Sequence, residues 1–144
     1  MRLWWSKERG STLLAMSIPM PLDELARTLH RYPLSYLLTV SDGDRVHAVA
    51  ASAVVEHDRL RVGPLGRRTL ANAADRPAVT LLWPPVEPDG YSLIVDGTAE
   101  MSDGGVLVSP ARAVLHRAAA TGATASADTD ACVSDCIEVP LSGV

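Results

Sequence analysis

Phenylalanine is absent from this chain of 144 residues, and three Trp and three Tyr bring aromatics to only 4%. Leu, Val, Ile and Ala must therefore fill any core, and a hydrophobic share of 47% supplies enough for one. Cysteine is scarce as well. Two residues, Cys132 and Cys136, make no disulfide framework, read as ordinary buried thiols, and suit a reducing, cytoplasmic setting. Positive charge is not in excess, because 13 Lys and Arg stand against 17 Asp and Glu for a net charge of −4. That excludes a global field recruiting nucleic acid or acidic lipid, so any anion site has to be local. No stretch reaches the roughly 18–20 apolar residues of a membrane span, and Leu13 to Met16 is too short for a signal segment. His30, His47, His57 and His116 fall in no metal-ligand spacing, so no metal site is expected. Neither a Ser-centred elbow, a phosphate loop with Lys, nor a Gly-x-Gly-x-x-Gly turn occurs.

What remains reads as one domain of short strands. Residues 1–20 are expected to be an N-terminal arm or a start misassigned ahead of Met16 or Met20. Residues 21–144 are expected to be a single domain, with residues 118–130, almost wholly Ala, Thr, Ser, Gly and Asp, as a flexible loop. Leu22, Leu25, Ala26 and Leu29 repeat at helical spacing, and Pro21 and Pro33 bound a helix from Pro21 to Arg31. Leu34 to Val40 and Arg45 to Val55 read as strands across Ser41-Asp42-Gly43-Asp44, a hairpin signal. Arg59 to Val62 then completes a three-strand meander. A short helix is expected from Arg67 to Arg76, closed by Pro77. Further strands are expected at Ala78 to Trp83, Tyr91 to Glu100, Val106 to Ser109 and Cys132 to Val139, and Pro110 to Arg117, whose Ala113, Val114 and Leu115 suit a strand or a helix, is read as a strand. Six or seven antiparallel strands, one N-terminal helix and one short helix between strands make a mainly β fold, a small closed barrel.

The segment with most chemistry is Gly66-Arg67-Arg68-Thr69-Leu70-Ala71-Asn72, because its charges oppose the helix dipole. Cations favour a helix C-terminus and acids its N-terminus, yet two arginines open this helix and Asp75 sits near its end. An anion would offset the arrangement. Backbone N–H groups, two guanidinium forks and the Thr69 hydroxyl would converge on a phosphate, with Gly66 permitting close approach. Solvated surface cations are the alternative for Arg67 and Arg68. The pair His116-Arg117 follows an apolar run and could face a pocket as proton donor or anion contact, but the surface reading is preferred.

This run resembles the pyridoxamine 5'-phosphate oxidase-like FMN-binding split-barrel family. The likeness rests on Arg61-Val62, the Gly/Pro turn, Gly66 to Asn72, Asp75-Arg76-Pro77 followed by Ala78 to Trp83, and Ser92 to Glu100 with its Gly97, and spans roughly Leu22 to Glu100. The resemblance implies a split barrel in which Gly66, Arg67, Arg68 and Thr69 grip the flavin phosphate. It further implies that the strand His47 to Ser52, with His47, Val49, Ala50, Ala51 and Ser52, lies along the ribityl chain and ring. The small residues there suit a flat ring packed on backbone, and serve a barrel interior equally well. Many members carry Lys where this chain has Thr69, and true vitamin B6 oxidases end in a basic segment where this chain ends Val139 to Val144. The implied function is thus an FMN-dependent oxidoreductase acting on a small molecule other than vitamin B6. It would be a homodimer with the cofactor between subunits, without nucleic-acid or membrane partners and without an assigned catalytic residue. A deazaflavin coenzyme, a non-catalytic flavin- or haem-binding barrel, and a barrel without ligand are the competing readings.

Overall fold

The computed structural model describes residues 16–118, of which residues 17–116 form one compact unit. The expected strand Cys132 to Val139, the two cysteines, Trp4 and Trp5, and all but the first residue of the expected loop 118–130 lie outside the described residues.

Strand β1 (Met16–Pro19) precedes a 3-10 turn (Leu22–Glu24) and helix α1 (Leu25–Leu29). The expected helix Pro21 to Arg31 is thus much shorter: its periodic leucines bury only Leu25 fully, leaving Leu22 exposed. Strands β2 (Tyr36–Val40), β3 (Val46–Ala50), β4 (Ala53–Glu56) and β5 (Arg59–Val62) follow. Helix α2 (Arg67–Asp75) then separates them from β6 (Ala78–Trp83), β7 (Ser92–Ser102) and β8 (Gly105–Arg117). Seven strands lie in the order β3-β2-β6-β7-β8-β5-β4, each neighbouring pair antiparallel, and β1 joins β8 beside this path.

The expected meander does not form. Arg45 to Val55 is two strands, β3 and β4, at opposite ends of the sheet and joined only by Ala51 and Ser52. Laid flat, seven strands would hold their outer members about 29 Å apart, whereas the link from Ala50 to Ala53 reaches at most about 11 Å. The sheet must therefore curl until its two ends meet. Among the described residues no ladder closes the gap, so the barrel is split, as the family resemblance implies, and not closed as the strand pattern alone suggests. The chain changes partners at the link: Ala51 N–H donates to Ser35 O at 3.0 Å, and Ser52 O accepts from Gly63 N–H at 3.1 Å. A run rich in Ala and Val, with no Gly or Pro at the link, carries no mark of such an exchange, which is why it reads as one strand.

Alternation builds the core. Leu37, Leu60, Val62, Leu81, Leu93, Val95, Val106 and Val108 are all essentially inaccessible and come from β2, β5, β6, β7 and β8. The break expected between Val106 to Ser109 and Pro110 to Arg117 is instead one strand with a bulge. Asp96 pairs Arg112 and Gly97 pairs Pro110, leaving Ala111 as the extra residue, a position where the missing proline N–H is tolerated. On the outer surface Arg61 forks onto Glu56, Nε to Oε1 at 2.6 Å, and reaches the Ser102 hydroxyl at 3.1 Å. This hydrogen bond holds the Glu56 carboxyl below its ordinary range. Arg61→Ala should return Glu56 towards ordinary carboxylate titration, read by carbon NMR. Because the folded-state value is lowered, any stability the pair contributes is present near neutral pH and is lost as pH falls through that value. A Glu56 titration that does not move on losing Arg61 would contradict this cause.

Candidate functional site

Helix α2 forms from an Ala-rich run whose Thr69, Asn72 and Ala73 face inward at helical spacing. It ends at Arg76, since a residue before proline is driven out of helical geometry. At its start Gly66 is extended, with φ −80° and ψ 166°, and supplies no side-chain cap. The first intrahelical bond is Leu70 N–H to Gly66 O, so the N–H groups of Arg67, Arg68 and Thr69 point out of the helix end without helical partners. Both arginines are exposed. Thr69, by contrast, is 2% exposed, and its hydroxyl has no hydrogen-bond partner among the described residues. An uncapped helix end and two free-standing cations fit a bound phosphate, to which Thr69, its side chain turned inward, offers its backbone N–H.

The turn feeding α2 is fixed from behind. Leu65 N–H donates to Gly104 O at 2.9 Å, and Gly63 N–H to Ser52 O at 3.1 Å. The second bond ties the end of the small-residue segment to the loop that carries Gly66. Ala50, Ser52, Gly66, Arg67 and Arg68 are exposed, His47, Val49 and Ala51 half-buried, and Thr69 buried. Strand alternation puts His47 and Val49 on one face of β3 and Ala48 and Ala50 on the other, so these residues do not share one surface. Asn72 was not among the expected site residues, yet its buried side-chain amide donates to Thr39 Oγ1 at 3.1 Å. Its helical spacing from Thr69 on an otherwise Ala-rich face was the available signal.

A cleft of about 770 Å³ opens between α1, the β4–β5 hairpin and Ser109-Pro110, and none of the expected cofactor residues lines it. His116 is half-buried and Arg117 exposed at the end of β8. Among the described residues no three metal-ligating side chains gather, and no helix is long and apolar enough to cross a membrane.

No family model matches the chain. Two curated relatives do: uncharacterized protein Mb0449c of Mycobacterium bovis and uncharacterized protein MT0457 of Mycobacterium tuberculosis. Each is 46% identical, over 81% of this chain and 92% of the relative. Among solved structures, an FAD-binding protein from Mesorhizobium loti superposes with a TM-score of 0.58 at 12% identity, over 74% of this chain and 99% of that one. A candidate 5-nitroimidazole antibiotic resistance protein from Bacteroides thetaiotaomicron gives 0.52 at 10% identity, over 73% of this chain and 91% of that one. At such identities the likeness is one of fold.

Proposed function

Since the chain belongs to the same family as these two mycobacterial proteins and folds as a split barrel, we propose that it binds FMN and exchanges a hydride or electrons with a small molecule. The observation that carries this reading is the start of α2, where the uncapped N–H groups of Arg67, Arg68 and Thr69 and the two exposed guanidinium groups are offered to one anion. The guanidinium groups would neutralise the phosphate, and Gly66 leaves room for it. The exposed Ala48, Ala50 and Ser52 present a surface short enough for a flat ring. The FAD-binding description of the Mesorhizobium loti protein supports a flavin-type ligand. Flavin, when bound, supplies the redox chemistry, so the protein has only to hold it, exclude competing reactions and leave one face open. Vitamin B6 oxidation is not part of the proposal, nor is a membrane or nucleic-acid partner. A cytoplasmic location is.

FMN titrated into purified protein should lose its fluorescence, then be reduced by NADH or NADPH and reoxidised by an acceptor. FMN fluorescence unchanged at high protein concentration would overturn the reading, and a deazaflavin coenzyme is the competing titrant. A homodimer belongs to the same proposal. In register, Ala50, Tyr36, Leu82 and Ile94 form an apolar row across the face opposite the core, beside the exposed Val46. Sedimentation at micromolar concentration should show a dimer, and a monomer with and without FMN would count against it.

A further inference from the structure

We infer that the buried hydrogen bond between Asn72 and Thr39 is a positioning device, setting where the arginines at the start of α2 stand relative to β3. The inference rests on the phosphate reading of that helix start. Thr39 is fully inaccessible and Asn72 8% exposed, so their bond is shielded from competition by water. It is the one side-chain hydrogen bond that α2 makes to the sheet among the described residues. The helix's other inward side chains, Ala73, the half-buried Leu70 and Thr69, make no hydrogen bond to the sheet among the described residues, and their packing is non-directional. They press the helix onto the sheet without fixing its rotation or its slide along the axis. A donor and acceptor at 3.1 Å do fix both.

The placement of the two partners gives this bond its reach. Thr39 lies on β2 directly opposite His47 of β3, and β3 leads through Ala50 into Ser52. Asn72 sits on the same helix as Arg67 and Arg68, a little over one turn further on. One amide-to-hydroxyl contact thus links the element offered to the phosphate with the strand offered to the ring. Losing it frees the helix to turn by a fraction of its period, and a shift of about 1 Å is enough to spoil a fork-shaped contact to an anion. Ring contacts made by β3 would survive, because the β2–β3 ladder runs through backbone bonds.

The test compares FMN with riboflavin, which lacks the phosphate, by fluorescence quenching alongside melting temperature. Thr39→Val keeps the shape but removes the acceptor, and should weaken FMN binding about tenfold while leaving riboflavin affinity unchanged. Thr39→Ser restores the acceptor and should restore FMN binding. Should Thr39→Val fail to fold, Asn72→Ser breaks the same bond without burying an unpaired amide, and the same FMN-selective loss is expected. Equal weakening of FMN and riboflavin, or a lowered melting temperature with FMN affinity intact, would reduce the bond to a structural role and overturn the inference. An unaltered protein that binds neither flavin overturns the flavin reading itself, and this inference with it.

Discussion

The double replacement Arg67→Ala with Arg68→Ala should weaken FMN binding by about 2–4 kcal/mol, or roughly 30- to 1000-fold, and spare riboflavin. Each charge-assisted hydrogen bond contributes about 1.5–3 kcal/mol, and two neighbours on one phosphate do not add fully. The fold should be indifferent or slightly steadier. Both side chains are exposed, Ala is the strongest helix former, and two cations leave the positive end of a helix. That opposition makes the experiment discriminating, since affinity falls while the melting temperature holds or rises. Lysine at both positions would keep the charge but lose the fork, and should recover only part of the affinity. Unchanged FMN affinity in the alanine double variant would reject the phosphate assignment.

The second large effect concerns stability, at Gly105. A side-chain carbon built there runs into the carbonyl oxygen of Val62 and comes within 3.2 Å of Gly63 Cα. Neither obstacle is the movable tip of a side chain. Gly63 has a φ of 151°, a conformation that other residues rarely adopt, and it faces Gly105 backbone to backbone. Relief would have to come from β5 or β8, both in the core through Val62 and Val106. Gly105→Ala is expected to cost about 2–4 kcal/mol, lowering the melting temperature by about 10 °C or more. Gly104→Ala is the comparison, since nothing lies within 4 Å of its position and only its φ of 74° opposes a side chain. It should cost about 1 kcal/mol. Equal melting temperatures for the two variants would show that β5 and β8 yield more easily than their packing indicates.

Much of the architecture was legible because local chemistry and global fold agree. Asp42-Gly43 marks a hairpin that forms, Pro77 ends the helix that it should end, and Leu37, Leu81 and Leu93 alternate with less buried neighbours. The errors share one origin, namely structure decided by distant partners. Ala51 and Ser52 look like any strand interior, yet there the chain exchanges β2 for β5. Pro110 looks like a break, yet a bulge opposite Gly97 absorbs it. Strand β1 has no periodic signature and exists by pairing with β8. At the candidate site, the reversed charges of α2 were visible, whereas the burial of Thr69 and its orphaned hydroxyl depend on how the helix lies against the sheet.

The three-pair ladder between β5 and β8 also governs the order in which this topology can assemble. The β2–β3 and β4–β5 hairpins join neighbours in sequence and need only short loops to close. Leu60, Arg61 and Val62 must instead find Val108, Leu107 and Val106, with α2, β6 and β7 strung between them. That search carries the larger loss of chain freedom, repaid only once β7 and β8 have zipped and offered a template. The curl of the sheet is accordingly a late event in folding, and the surface shared by the Ser52 and Gly63 loops comes into being only when the last strands dock.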